Sequence, residues 1–108
     1  MAIEICVADF TTTPGPRKRE DGLFSGEEFR ENFLEKYFLD GSSDKIEINL
    51  DGVEGYSTAF LEEAFGGLVR KFGKDVVKNR LEFISMEEPF LKEEIKSYIE
   101  KADKKAIK

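Results

Sequence analysis

Apolar residues recur along this chain with two different periods. Ile3, Ile5 and Val7 alternate with Glu4 and Cys6, Ile46, Ile48 and Leu50 alternate with Lys45, Glu47 and Asn49, and Leu81 and Phe83 alternate with Arg80 and Glu82. A period of two sends successive side chains to opposite faces, so these runs predict three strands. Each run has one apolar and one more polar face, whereas strands covered on both sides read as nearly continuous apolar stretches. The pattern therefore predicts helices crowded on one face of a sheet.

Between the strands the spacing becomes helical. A first helix is predicted from about Gly26 to Phe38, with Ser25 and Glu28 in capping-box spacing and Phe29, Phe33, Leu34, Tyr37 and Phe38 forming its stripe, and with Gly41, Ser42 and Ser43 ending it. A second, from about Thr58 to Phe72, buries Leu61, Phe65, Leu68 and Phe72, flanked by Phe60, Ala64 and Val69, and stops at Gly73. A third starts near Pro89 and turns Leu91, Ile95, Tyr98, Ile99 and Ala102 inward, while its lysine-rich end, residues 101–108, reads as a frayed tail. The order βαβαβα predicts parallel strands joined by right-handed crossovers. The expected fold is a small α/β sandwich of three to four mainly parallel strands with its helices largely on one face. Asp51-Gly52 also suits a type I′ hairpin, but the residues after it do not alternate like a returning strand, which rejects that reading. Gly66 and Gly67 interrupt the second helix at a cost of roughly 1 kcal/mol each relative to alanine, and this predicts close backbone packing there.

Composition narrows the function classes. The 108 residues, 40% hydrophobic, suit one domain over residues 1–108 with a core of its own. No stretch approaches the roughly 18 to 20 apolar residues that cross a bilayer, and "MAIEICVADF" lacks the basic start and apolar middle of a signal peptide, so a cytoplasmic protein is expected. The single cysteine, Cys6, lies in a strand-like apolar run and reads as a buried, inert thiol. There is no histidine, which removes the usual base of serine and cysteine nucleophiles and, with one cysteine, the common zinc sites. The adjacent carboxylates Glu27-Glu28, Glu62-Glu63, Glu87-Glu88 and Glu93-Glu94 point about 100° apart on a helix and read as solvated faces, not as metal ligands. No catalytic residue, metal or cofactor is assigned. A net charge of −6 disfavours general attraction to nucleic acid or to an anionic membrane.

Two segments, "PGPRKREDGLFSGEEFRENFL" and "INLDGVEGYSTAFLEEAFGGLVRKFG", carry a resemblance. They resemble the bacterial STAS-like domain family of unknown function, whose members carry similar GPR…G…SGEEFR and G-Y-x-S-x-F-L-E-E-A-F-G-G-L-V-R segments, over roughly residues 14 to 72. That family is in turn similar to the anti-sigma-factor antagonists and to the cytoplasmic domains of sulfate transporters. In the antagonists a strand runs into a D-S-S/T-G turn at a helix start, and the residue after the aspartate is phosphorylated by a histidine-kinase-like ATPase. Aligning "LDGVEGYSTAFL" through Leu50, Gly52, Val53 and Leu61 puts Ser57 at the aspartate, Thr58 at the phosphoacceptor and Phe60 at the glycine. The resemblance thus implies the fold, a protein partner of the histidine-kinase-like ATPase class, and phosphorylation at Thr58 or Ser57.

The same residues have a reading of their own. Ser57 suits an N-cap, worth about 1 kcal/mol, which leaves Thr58 at the first helical position with an outward hydroxyl. Phosphate there is favoured by the helix dipole and opposed by Glu54, Glu62 and Glu63. Tyr56 offers an aromatic contact of the kind enriched at interfaces. Glu54, Tyr56, Ser57, Thr58, Glu62 and Glu63 are therefore the expected partner-binding surface of a non-enzymatic regulatory or adaptor domain. The alternative is a small-anion or nucleotide sensor, in which Arg17, Arg19 and the helix start at Ser25 and Gly26 gather an anion in the Pro/Gly-punctuated loop. Arg70, Lys71, Lys74, Lys78 and Arg80 form a further basic cluster, read as a solvated patch.

Overall fold

The structure, a computed structural model, describes residues 3–39 and 44–106, the side chains of residues 103–106 excepted. Strands β1 (Ile3–Cys6), β2 (Ile46–Asn49) and β3 (Leu81–Ile84) form one parallel sheet in the order β1-β2-β3. The register places Ile5, Ile48 and Phe83 side by side, with Ile3, Ile46 and Leu81 in the row before them, all toward the helices. Glu4, Glu47 and Glu82 make a row on the opposite face. The alternation seen in the sequence is this division between a covered and an open face.

The long helices follow the predicted order, with differences in their interiors and between them. Helix α1 spans residues 26–39, in which a wide π-helical turn, Arg30–Leu34, sits between α-helical Gly26–Phe29 and Glu35–Leu39. Helix α2 spans residues 58–72, again with a π-helical turn, Glu62–Gly66, between Thr58–Leu61 and Gly67–Phe72. Gly73, at a φ of +98°, breaks the chain away from α2, and a helix that the sequence pattern did not show, α3 (Lys74–Arg80), leads straight into β3. Only its Val77 is fully buried among the apolar residues, which is too little to generate a readable period. Helix α4 (Phe90–Ala106) packs back along the others and runs through residues 101–106 of the segment read as a tail. The expected stop at Gly41, Ser42 and Ser43 lies outside the described residues, as do 107 and 108.

β1 ends one residue earlier than the alternation suggested. Val7–Phe10 instead forms one helical turn, closed by the Thr11 N–H on the Val7 carbonyl at 2.9 Å. Val7 is fully buried either way, so its polarity cannot distinguish strand from turn. The core lies between the sheet and α1, α2 and α4, and its largest fully buried side chains include Phe29, Phe60, Phe65, Leu34, Ile46 and Ile48. At a typical 1.5–3 kcal/mol for each large apolar side chain withdrawn from water, this layer is the main source of stability. The N-terminal ends of α1 and α2 are in close backbone contact, for a Cβ on Gly26 would lie 2.5 Å from the Phe60 carbonyl oxygen. No helix of the described residues is long and apolar enough to cross a membrane.

Candidate functional site

The carboxyl ends of the strands gather the loops that carry the candidate residues. The chain leaves β2 through Leu50, turns at Gly52 with a φ of +84°, bends again at Glu54 and reaches Ser57, whose extended backbone makes it the N-cap of α2. Asp51 binds this loop to the one after β3, because its carboxylate accepts the Met86 and Glu87 N–H groups at 3.1 and 3.0 Å. Gly52 N–H in turn donates to the Glu87 carboxylate at 3.0 Å. On the other side, Glu54 N–H donates to the Thr12 carbonyl at 2.8 Å. The loops after all three strands are thereby tied into one end surface, and Asp51-Gly52 forms no hairpin.

The two neighbouring hydroxyls have different environments. Ser57 Oγ accepts the Phe60 N–H at 3.0 Å and donates to the Gly15 carbonyl at 3.3 Å, so it caps α2 and also fastens the Pro/Gly loop. Thr58 is exposed at the first helical position, outside that cap, and its hydroxyl meets Tyr98 on α4. Tyr98 bonds Glu94 as well, so an anion on Thr58 would confront Glu94 across the helix interface. Glu54 is exposed. Tyr56 is half-buried against the core, and its hydroxyl donates to the Leu50 carbonyl at 2.9 Å. Burial first, then the nearby Asp51, Glu88 and Glu87 charges, push its phenol well above the ordinary tyrosine range.

Glu62 and Glu63 do not form the solvated face expected of adjacent glutamates. Glu63 is 5% exposed and pairs with Arg30 from α1 and, at 3.5 Å each, with Arg17 and Lys18 from the loop. Arg30, itself 8% exposed, also donates to the Glu63 carbonyl at 2.9 Å and to Glu35 at 2.8 Å. Glu62 takes Arg17 on one oxygen and Arg70 on both, the Arg70 contacts being 2.7 and 3.2 Å. Lys71 completes the cluster at 3.1 Å from Glu35. Burial alone would raise the Glu62 carboxyl, but the Arg70 and Arg17 hydrogen bonds outweigh it and pull the group down to about 2. Burial likewise opposes, and Arg30 and Lys71 overcome it, at Glu35, whose carboxyl is held below its usual range.

This cluster explains the paired glycines, and the reason is side chains and not backbone. A Cβ on Gly67 would collide with Arg30 Nη1 and lie 3.0 Å from its Cδ, while one on Gly66 would lie 2.6 Å from Glu62 Oε2. Both π-helical turns contribute to the cluster, Arg30 from one and Glu62, Glu63 and Gly66 from the other. A glycine-flanked Arg/Glu arrangement of this kind is the feature that sequence reading missed; its trace was the cost of two mid-helix glycines beside a run of charges.

The residues of the anion reading are drawn into the same framework. Arg17 is spent on Glu62 and Glu63. Arg19 pairs with Glu31 at 3.0 Å and reaches Asn32 at 3.3 Å. Ser25 is fully buried and caps the Glu28 N–H at 3.0 Å. The Gly26 and Glu27 N–H groups donate to the Pro16 and Arg17 carbonyls at 2.9 and 3.0 Å. In the second basic cluster, Arg70 and Lys71 belong to the buried network, Lys78 binds Glu100 at 2.6 Å, and Arg80 donates to the Tyr37 and Asp44 carbonyls. Among the described residues no three His, Cys, Asp or Glu converge as metal ligands.

The segments interlocked by this network are those that carry the family resemblance, and the comparison with known families agrees. Residues 25–91, more than half of the chain, match the family described as STAS-like domain of unknown function (DUF4325). The chain belongs to that family. The matched region of this STAS-like domain includes α1, β2, α2, α3 and β3, and with them the Arg30, Glu35, Glu62, Glu63 and Arg70 network. No curated protein and no solved structure matches the chain. The family description carries no catalytic activity.

Proposed function

We propose that this STAS-like domain is a non-enzymatic regulatory or adaptor module that binds another protein through the end surface around α2's start, with Thr58 as its switch. The observation that carries the reading is the division of labour between adjacent hydroxyls. Ser57 is committed to the cap and the loop, so modifying it would undo structure, whereas Thr58 is exposed and contributes nothing to the cap. A phosphate on Thr58 would add about −1.5 to −2 of charge at a helix N-terminus without entering the core. The partner surface comprises Glu54, Thr58 and the exposed edges of Tyr56 and Ser57, with Glu62 at its margin. Glu63 is inside the network and serves to hold α2 in place.

The partner class is a histidine-kinase-like ATPase, by likeness to the anti-sigma-factor antagonists, and the setting is the cytoplasm. This rests on fold-level analogy as well as on the site. The anion-sensing reading draws less support, because Arg17, Ser25 and the Gly26 amide all have partners within the chain. The test is affinity capture from the native cell extract with wild-type and Thr58→Glu protein, followed by incubation of the captured material with ATP. Capture of a histidine-kinase-like ATPase by wild type alone, with phosphate appearing on Thr58, is expected. Equal capture by both proteins and no phosphate on either hydroxyl would refute the switch.

A further inference from the structure

The edge of β3 offers a second surface, remote from the Thr58 end loops in its chemistry. Among the described residues β3 pairs with β2 alone. The Leu50 N–H donates to the Ile84 carbonyl at 2.7 Å, which sets the phase of the ladder: Glu82 and Ile84 turn their backbone groups toward β2, and Leu81 and Phe83 turn theirs outward. The Leu81 N–H is used by the end of α3, on the Val77 carbonyl. The Leu81 carbonyl and both backbone groups of Phe83 remain without a strand partner. Beside them, β3 and α4 border a groove of about 450 Å³, lined by the apolar Leu81, Phe83 and Ile99, by Lys78, Lys92 and Lys96, and by the carboxylates Glu82 and Glu100.

We infer that this edge accepts an extended peptide of another protein as a fourth strand, with acidic and apolar side chains facing the groove and a basic side chain on the opposite face. Two charge arrangements select that occupant. In a molecule of net charge −6 the groove carries three lysines against two carboxylates, Glu82 and Glu100. Lys78 binds Glu100 at 2.6 Å and Lys96 is 4.0 Å from Glu93, while Lys92 has no carboxylate partner among the described residues and is the cation left for an acidic side chain of the peptide. On the open face, Glu4, Glu47 and Glu82 stand in register as a like-charge ladder, with Lys45, 3.8 Å from Glu82, as the one cation paired to it among the described residues. Directly neighbouring like charges destabilise a sheet, and a lysine or arginine brought into register beyond Glu82 would relieve this one. A second copy of this chain suits the site poorly, since two-fold pairing about Glu82 would oppose two glutamates and bring two lysine rims together. Main-chain hydrogen bonds would supply affinity and the alternating side chains specificity, as in other strand-addition complexes.

The probe is the amidated, acetylated peptide Glu-Thr-Val-Lys-Val-Thr-Glu, whose pattern reads the same in either strand direction. Titration into the labelled protein, followed by amide NMR, should give saturable shifts at Leu81–Ser85 and along the Lys92–Ile99 face of α4, and slowed exchange of the Phe83 amide. The Lys92→Glu/Lys96→Glu variant, which alters exposed side chains only, should bind at least tenfold more weakly. A copy of the peptide with its backbone amides N-methylated should not bind. No saturable shift at β3, undiminished binding by the double variant, or equal binding of the N-methylated peptide would each overturn the inference. So would protection of the Phe83 amide that rises with protein concentration alone, which would assign the edge to a second copy.

Discussion

The Arg30 guanidinium lies against Gly67, in the space that a side chain on α2 would fill. Without that space Arg30 could not reach Glu63 and Glu35 together, and two buried carboxylates would lose their principal cation. Gly67→Ala gains about 1 kcal/mol of helix propensity but must push aside a buried, multiply bonded side chain, a strain of about 1–3 kcal/mol with further loss from the ion pairs. The net expectation is destabilisation by about 1–3 kcal/mol. Gly66→Ala meets only the far ends of two partly exposed side chains, the Glu62 carboxylate and, at 3.4 Å, Arg70 Nη1, and should be within about 1 kcal/mol of wild type. Urea denaturation of the two variants separates them, and equal stabilities would remove the packing explanation.

The same network makes stability depend on acid. The Glu62 carboxyl is held at about 2 in the folded protein, below the roughly 4.3 of an unfolded chain, so the folded state binds fewer protons in this range. Its contribution, of order 2 kcal/mol, is fully present above about pH 5 and is lost as pH falls toward 2. Glu35 is shifted in the same direction. Glu62→Gln should therefore lower stability at pH 7 and flatten the decline between about pH 5 and 2. A parallel decline in the variant and wild type would place the acid sensitivity elsewhere.

Phe65 tests the core. It is fully buried on α2, edge-on to Phe83 of β3 at 5.3 Å between ring centroids and to Phe29 of α1 at 6.4 Å, so it joins the sheet to α1 and α2. Phe65→Ala should cost about 3–5 kcal/mol, a large part of the stability of a protein this size. A loss below about 1 kcal/mol in a denaturation curve would show that the side chain does not fill that position.

The strands and the three long helices were legible because each repeats a simple choice, inward or outward, over several residues. Ile46 and Ile48 against Glu47 and Asn49 are enough to state a strand and its covered face. The turn at Val7 was not legible, since one apolar residue at the end of a strand is buried in either conformation. α3 was hidden for a related reason, with one buried valine in seven residues. The π-helical turns leave no mark on periodicity. Ser57 as a cap could be read from its position alone, because capping is a contact three residues away. Glu63 could not, because its partners Arg17, Lys18 and Arg30 come from 46, 45 and 33 positions earlier and only the folded chain brings them together.

Ser57 and Thr58 then separate stability from recognition. Ser57→Ala removes the acceptor of the Phe60 N–H and the tie to Gly15, and should cost about 0.5–2 kcal/mol. Thr58→Ala should fold nearly as wild type, since its hydroxyl takes no part in the cap. The most direct measurement takes the histidine-kinase-like ATPase proposed as partner, as isolated by affinity capture from the native cell extract, and titrates it with wild-type, Thr58→Ala and Thr58→Glu protein, each first shown to be folded by its denaturation curve. Wild type and Thr58→Ala should bind alike and Thr58→Glu at least tenfold more weakly, because the substitution adds a negative charge to the surface proposed for the partner, which already carries Glu54. Wild-type affinity in Thr58→Glu would contradict the switch and leave both hydroxyls as parts of the structure.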